Sequence, residues 1–269
     1  MIPVFVVSLR DCAGRRESIR RSLESLEIPF EFVDAVDGRH GLDPSCEPDI
    51  DRARTEREGN KGWTLSDAEY ACALSHIQIY RRIVRDNIDW ALVLEDDAIP
   101  TPDLTTYIGG GYFLDADLTQ LYFYRTRVSR LGRKRLFGPY SSYLRTKLKS
   151  GSATAYVISN RAARHIVNKG VPITREADWP RCVEDLIAEK RCRVVYPVIV
   201  KHPPYIGQST ITNYGVKDHS RTRKRRFLGV YIPPFKRILQ SYAKGPSWLM
   251  FKLITKPVSG KQTSTTPLS

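Results

Sequence analysis

The sequence has no apolar stretch long enough to cross a bilayer. A transmembrane helix needs about 18 or more consecutive, mostly apolar residues, and no such run occurs in the 269-residue chain. The short apolar segment at 4–7 has no basic residues before it, so we expect a first β-strand there and not a secretion signal. With 41% hydrophobic and 27% charged residues, the composition predicts a globular protein.

Cysteine is scarce and shows no pairing pattern. The five cysteines are an odd number without a C-x-x-C motif: Cys12, Cys46, Cys72, Cys182 and Cys192. This argues against a disulfide framework or a zinc motif and favours a reducing compartment. We therefore expect a cytoplasmic protein.

Two common phosphate-binding motifs are also missing. The loop after the first predicted strand, at 9–16, has no G-x-G-x-x-G pattern, so a Rossmann dinucleotide site is not expected. The chain also lacks the lysine-containing P-loop motif. This second absence weakens one rival interpretation, a metal-dependent phosphohydrolase or phosphotransferase.

The most informative segment present is 90–97. Five apolar residues run directly into Glu95, Asp96 and Asp97. A continuous apolar run without alternation predicts a strand buried on both faces, as in a parallel sheet. The acids then lie at its carboxyl end, where open α/β sheets bind ligands. Three adjacent carboxylates favour a hard cation such as Mg²⁺ or Mn²⁺, and a solvated acidic turn is the alternative.

The segments around this strand predict an α/β fold. A strand at 4–8, a helix at 15–26 and a strand near 30–35 form a β-α-β unit with parallel strands. Arg15 and Arg16 fall at the helix start, where a cation is unfavourable unless an anionic ligand lies nearby. Plain surface exposure explains the two arginines equally well.

A second helix carries two further candidates. A capping box at 66–69 and an apolar stripe predict this helix. Ser75 and His76 lie near its buried side. A single helical histidine is more often a packing residue than a catalyst, but the nearby acidic strand keeps the functional interpretation open.

Three candidates follow in the second half of the chain. Ser152 belongs to a run of small residues that allows a ligand close to the next strand. Asp178 precedes Pro180, which suits the first turn of a helix, so Asp178 is either a cap or a base. His202 and Gln208 lie in a turn-rich loop after a strand predicted at 193–200.

The net charge of +14 is concentrated towards the C-terminus. From position 216 onward, twelve Lys and Arg face one acid, Asp218, which leaves eleven of the excess positive charges in this segment. Such a basic, aromatic segment suits an anionic membrane surface, and nucleic acid or a solvated helix are the alternatives. We expect a folded domain at 1–215, a basic extension at 216–255 and a disordered tail at 256–269.

Several local patterns together resemble the bacterial lipooligosaccharide glycosyltransferases of glycosyltransferase family 25. The resemblance covers about residues 1–212 and rests on 6–9 with Arg15-Arg16, on 69–76, on 92–97 and on 151–159. It implies a GT-A fold, a UDP-sugar donor, a divalent metal and transfer with inversion. It further implies galactose as a common donor sugar and a lipooligosaccharide or LPS saccharide as acceptor.

The resemblance also implies roles for individual residues. Glu95, Asp96 and Asp97 take the place of the D-x-D motif, and which two of them reach the metal and the ribose stays open. We assign the metal to Glu95 and Asp97 and the base to Asp178. His202 is either a further metal ligand, as in some GT-A enzymes, or a surface histidine. The remaining donor contacts are Val7, Ser8, Leu9, Arg15, Ser75, His76, Asp96, Ser152 and Gln208.

The expected location follows from the acceptor and the basic extension. We expect a peripheral protein on the cytoplasmic face of the bacterial inner membrane. A nucleic-acid-binding module that acts through the basic extension is a second rival class. Carboxylates at the end of a core strand argue against it, so no nucleic-acid partner is expected.

Overall fold

A computed structural model describes residues 2–58, 64–148, 152–177, 179–203 and 254–260. The helices are α1 (Ala13–Glu24), α2 (Arg52–Glu58), α3 (Asp67–Arg85), α4 (Asp103–Gly109), α5 (Asn160–Gly170) and α6 (Val183–Ala188), with a 3₁₀ helix at Pro44–Asp49. The strands are β1 (Val4–Ser8), β2 (Glu31–Asp34), β3 (Trp90–Glu95), β4 (Ile99–Pro100), β5 (Leu118–Gln120), β6 (Arg125–Ser129), β7 (Lys134–Arg135), β8 (Ser141–Leu144), β9 (Ala155–Ser159), β10 (Cys192–Tyr196), β11 (Val200–Lys201) and β12 (Thr255–Ser259).

An eight-stranded sheet with the order β2-β1-β3-β9-β5-β10-β8-β7 forms the centre of the fold. β1 pairs in parallel with β2 and β3, and β5 pairs in parallel with β10. β9 and β8 run against their neighbours, so six of the eight strands share one direction. This confirms the predicted α/β class with a mostly parallel sheet flanked by helices.

β3 lies inside the sheet and is buried on both faces, as its sequence predicts. Residues 91–94 are fully buried between β1 and β9. Leu92 and Leu94 join the core on one face, whereas Ala91 and Val93 join the core on the other, beneath α3 and α5. Alternate side chains of a strand point to opposite faces, so burial of both sets fixes the register of β3. This register places Glu95 at the carboxyl end of β3.

α3 begins at the predicted capping box. The Ser66 hydroxyl accepts a hydrogen bond from the Glu69 amide, and the Glu69 carboxylate accepts one from the Ser66 amide at 2.7 Å. These bonds satisfy amide groups that a helix start otherwise leaves unpaired. Buried Tyr70, Leu74 and Ile77 then hold the helix against the sheet. The neighbouring His76 is thereby carried to the end of β3.

The boundary predicted between residues 255 and 256 falls inside a strand. β12 pairs antiparallel with β6, and the Val258 side chain is buried. A Cβ atom on Gly260 would lie 2.1 Å from the Phe123 carbonyl oxygen, so the chain passes close to the core there. The predicted disorder from position 256 is therefore wrong for residues 256–260. Strand pairing and burial of Val258 outweigh the weak intrinsic preference of this polar segment.

Several predicted features lie outside the described residues. Asp178, Gln208 and the basic extension up to residue 253 belong to this group. The strand predicted at 193–200 divides into β10 and β11, since Pro197 lacks the amide that would continue the pairing. None of the described helices is long and apolar enough to cross a membrane.

Candidate functional site

The three consecutive acids at the end of β3 reach three different parts of the fold. Glu95 contacts α3 and the segment before β9, Asp96 contacts β1 and α1, and Asp97 contacts the segment after β11. The chain turns immediately after Glu95. The three carboxylates therefore contact different partners, which partly offsets their mutual repulsion.

Asp96 is buried between the first strand and the first helix. Its carboxylate accepts a 2.6 Å hydrogen bond from the Ser8 hydroxyl and lies 3.2 Å from the Arg15 guanidinium. Burial raises the pKa of Asp96 to about 6, although the Ser8 hydrogen bond and the Arg15 charge oppose this shift. Asp96 therefore changes its charge near pH 6.

The two arginines at the start of α1 have different roles. Arg16 donates to the backbone carbonyl groups of Ser8 and Leu9 and pairs with Asp34, so it fastens the end of β1 to β2. Arg15 is half-buried and faces Asp96. Of the two, Arg15 is the cation that borders the cleft.

Glu95 is held on both carboxylate oxygens. The Thr154 hydroxyl donates to Oε2 at 3.1 Å, and His76 Nε2 lies 3.4 Å from Oε1. His76 Nδ1 in turn lies 2.7 Å from the Tyr156 hydroxyl, and that hydroxyl lies 2.8 Å from the Tyr80 hydroxyl. Complete burial raises the pKa of Tyr156 well above its ordinary value, so the phenol stays neutral. The arrangement orients His76 and Glu95 as a unit.

Asp97 and His202 form the pair best suited to a hard cation. His202 Nε2 lies 3.2 Å from Asp97 Oδ2, and the imidazole stacks on the Tyr122 ring at 5.3 Å. Burial lowers the pKa of His202, but the hydrogen bond and charge of Asp97 outweigh it and raise the pKa overall. Among the described residues, the buried Oδ1 of Asp97 has no hydrogen-bond partner. A buried carboxylate oxygen without a partner beside an imidazole fits a Mn²⁺ or Mg²⁺ site.

The three acids at the end of β3 line a cleft of about 120 Å³. Eight predicted site residues line it: Val7, Ser8, Leu9, Arg15, Ser75, Glu95, Asp96 and Asp97. The Ser75 hydroxyl accepts from the Val36 amide at 2.9 Å and donates to the Ala71 carbonyl at 2.7 Å. Ser75 therefore anchors the loop after β2, which forms the opposite wall.

The other predicted residues lie around this cleft. His76 lies 3.4 Å from Glu95, and His202 lies 3.2 Å from Asp97. The Ser152 hydroxyl contacts the Thr154 hydroxyl at 2.7 Å. The sequence reasoning missed Thr154 and Tyr156. A tyrosine inside a strand has no sequence feature that marks it as a site residue. Thr154 lies two residues after the predicted Ser152, in the same run of small residues, and could have been predicted from that run.

Cys72 was also missed as a site residue. It lines the cleft one helical turn before His76. Its thiol, the His76 imidazole and the Glu95 carboxylate offer ligand atoms that lie within 4.8 Å of one another. Cys72 and His76 are four residues apart on a predicted helix, and this spacing could have indicated that they share one face.

The acid-rich cleft lies at the carboxyl ends of parallel strands, which is where open α/β sheets bind ligands. Residues 1–179 match the model of glycosyltransferase family 25 (LPS biosynthesis protein). The chain belongs to this family. Its mostly parallel central sheet flanked by helices agrees with the α/β fold that the family resemblance implied.

Individual relatives match different shares of the chain. Procollagen galactosyltransferase 1-B of Xenopus laevis is 36% identical over 35% of this chain and 16% of its own length. Lipooligosaccharide biosynthesis protein lic2B of Haemophilus influenzae is 25% identical over 60% of this chain and 61% of its own. The Neisseria meningitidis lacto-N-neotetraose biosynthesis glycosyltransferase LgtE is 24% identical over 66% and 64%. The chain thus spans less than two thirds of each of these proteins.

Proposed function

We propose that the protein is a metal-dependent, inverting glycosyltransferase that transfers a hexose from a UDP-sugar to a lipooligosaccharide or LPS saccharide. Galactose is the first candidate sugar. The names of the Haemophilus and Neisseria relatives support the acceptor class, and the name of the Xenopus relative supports galactose. The observation that carries the metal dependence is the unpartnered Oδ1 of Asp97 beside His202.

The cation is held by Asp97 and His202 in this proposal. When bound, Mn²⁺ or Mg²⁺ neutralises the negative charge that develops on the departing diphosphate. Asp97 offers one buried oxygen, and the Tyr122 ring fixes the plane of the His202 imidazole. Glu95 was expected to be a direct ligand. Its two oxygens lie beside His76 and Thr154, whereas the Asp97 carboxylate lies beside His202, so we place Glu95 at the rim of this cation site and not among its ligands.

The donor lies along the end of β1 in this proposal. Val7, Ser8 and Leu9 line the cleft there, with Arg15 and Asp96 beside them. Arg15 supplies positive charge for a phosphate oxygen. Asp96 offers a carboxylate to a ribose hydroxyl, and Ser8 and Arg15 hold it in place for that contact.

Inversion requires one base that removes the proton of the acceptor hydroxyl. We propose Asp178 for this role, with the family resemblance as the reason. Its neighbour Trp179 is buried, and its ring lies 5.0 Å from that of Tyr156, whose hydroxyl contacts His76. Trp179 also has a φ of 128°, and strained non-glycine backbone concentrates at functional sites. Both observations support the assignment.

The metal assignment is tested by Asp97→Asn. We expect turnover of UDP-galactose with a saccharide acceptor to fall by at least about 100-fold, since a catalytic metal contributes several kcal/mol. The melting temperature should stay near that of the native chain. Asp86→Asn, which alters an exposed acid paired with Arg82 and Arg85, is the matched control and should keep full activity. Full activity of Asp97→Asn would refute the metal site.

A further inference from the structure

We propose that Cys72, His76 and Glu95 form a second cation site, selective for a borderline-soft divalent ion such as Zn²⁺. Each residue offers one ligand atom, and these atoms lie within 4.8 Å of one another. Cys72 and His76 stand four residues apart on α3, so they share one face of the helix. Glu95 closes the site from the end of β3. Cys72 and Glu95 line the cleft, which gives an ion access.

The spacing of the ligand atoms suits a tetrahedral ion. The 3.4 Å separation of His76 Nε2 and Glu95 Oε1 is long for a hydrogen bond. Two ligands that each lie about 2.0–2.2 Å from a tetrahedral zinc ion are about 3.3–3.6 Å apart. The imidazole and carboxylate therefore already have the separation of two zinc ligands. The Cys72 sulfur lies within 4.8 Å of both ligand atoms, and Cys72 lines the cleft.

The surroundings of His76 favour metal binding through Nε2. The Tyr156 hydroxyl lies 2.7 Å from Nδ1 and 2.8 Å from the Tyr80 hydroxyl. Zinc at Nε2 would select the tautomer with its proton on Nδ1, in which Nδ1 donates to Tyr156 and Tyr156 donates to Tyr80. This tautomer leaves the lone pair on Nε2 directed at Glu95 and the cleft. The Thr154 hydroxyl fixes the second oxygen of Glu95. Hydrogen bonds of this kind orient metal ligands and tune their affinity.

The ligand chemistry separates this site from the one at Asp97 and His202. A thiolate selects a softer ion, whereas carboxylate oxygen and imidazole without sulfur accept Mn²⁺. Binding replaces the thiol proton of Cys72 by the metal and releases that proton to the buffer, with no change of oxidation state. If the proposed transfer reaction is correct, zinc should also inhibit it, because an ion held by Cys72 and Glu95 occupies the wall of the cleft.

The test uses Co²⁺ as a spectroscopic substitute for zinc in the full chain under reducing, anaerobic conditions. A thiolate–cobalt bond gives an intense near-ultraviolet charge-transfer band. We expect this band in the native protein, its loss in Cys72→Ser, and its retention in Cys46→Ser, which alters another partly exposed cysteine. Zinc should displace the cobalt and abolish the band.

Asp97→Asn separates this proposal from the proposed function. The variant should lose transfer activity and keep the thiolate–cobalt band, because Asp97 is not a ligand of the second site. A native protein without the band would overturn the second site, and so would a band that persists in Cys72→Ser. Zinc inhibition that disappears in Cys72→Ser would link the two sites.

Discussion

At the scale of single residues, the site depends on how three adjacent carboxylates are compensated. The Asp96 carboxylate contacts the Ser8 hydroxyl and the Arg15 guanidinium. The Glu95 carboxylate contacts the Thr154 hydroxyl and the His76 imidazole. Asp97 contacts His202 through one oxygen only. The remaining oxygen of Asp97 is buried. The least compensated carboxylate is therefore the best cation ligand of the three, and this ranking follows from contacts that a linear sequence does not show.

Asp96→Asn should stabilise the protein while it weakens donor binding. Folding raises the pKa of Asp96 from 3.8 to about 6, so the folded state disfavours the ionised form. A raised carboxyl pKa destabilises the fold above pH 6, and this effect disappears as the pH falls towards 4. We expect the variant to gain about 1–3 kcal/mol in the free energy of unfolding at pH 7.5.

Urea denaturation at pH 7.5 and pH 4 measures this effect, and calorimetry measures UDP affinity. The gain in stability should shrink at the lower pH. A variant that is less stable at pH 7.5, or that binds UDP as well as the native chain, would contradict the role of Asp96.

At the scale of elements, the junction of α3 with the loop after β2 shapes the cleft. A Cβ atom on Gly38 would lie 2.4 Å from the Asp67 carbonyl oxygen, in the first turn of α3. The Ser75 hydroxyl holds the adjacent Val36 amide from the same helix. Loop and helix are thus in direct backbone contact, and this contact sets the width of the cleft.

Gly38→Ala should therefore lower both stability and donor affinity. The added methyl group meets backbone atoms, so the loop has to move away from α3. We expect a loss of about 1–3 kcal/mol in the free energy of unfolding together with a higher KM for the donor. Gly14→Ala, in open space within α1, is the control and should be neutral or stabilising. A Gly38→Ala enzyme with native KM would show that the loop does not shape the donor site.

The elements that carry the site were predictable from sequence because their signals are local. The unbroken apolar run predicted β3, and the capping box with its stripe of apolar residues predicted α3. The periodic spacing of apolar residues predicted the β1-α1-β2 unit. The partners of the site residues were not predictable. Whether Arg15 or Arg16 meets Asp96 depends on the rotation of α1 about its axis, and the contact of His76 with Tyr156 spans 80 positions. Tertiary packing decides both.

At the scale of the whole molecule, the basic extension is followed in the chain by a strand that pairs with the folded domain. β12 follows the extension and pairs with β6, close to the Phe123 segment that adjoins Tyr122. Truncation after residue 215 would remove β12 along with the basic residues. A test of membrane association therefore needs charge substitutions that leave the strand in place.

We propose that the extension at 216–255 binds anionic membranes, since it holds most of the excess positive charge. Replacement of Arg221, Arg223, Lys224, Arg225 and Arg226 by serine should weaken binding to phosphatidylglycerol vesicles by at least about 100-fold, since each charge contributes about 1 kcal/mol. Vesicle co-sedimentation measures this. Arg20→Ser with Arg21→Ser, two exposed changes on α1, is the control. Equal binding of all three proteins would refute the proposal.

The metal dependence of the proposed function rests on one claim, that Asp97 and His202 would hold a divalent cation, which would supply positive charge to a nucleotide diphosphate. The most direct measurement is the melting temperature of the full chain with UDP, with Mn²⁺ and with both. Ligands that bind only the folded state raise the melting temperature, and the stabilisation grows as RT ln(1 + L/Kd), where L is the free ligand concentration. We predict that UDP and Mn²⁺ together raise it by more than the sum of their separate effects, and that Asp97→Asn abolishes this excess. Equal stabilisation by UDP with and without Mn²⁺ would contradict the claim.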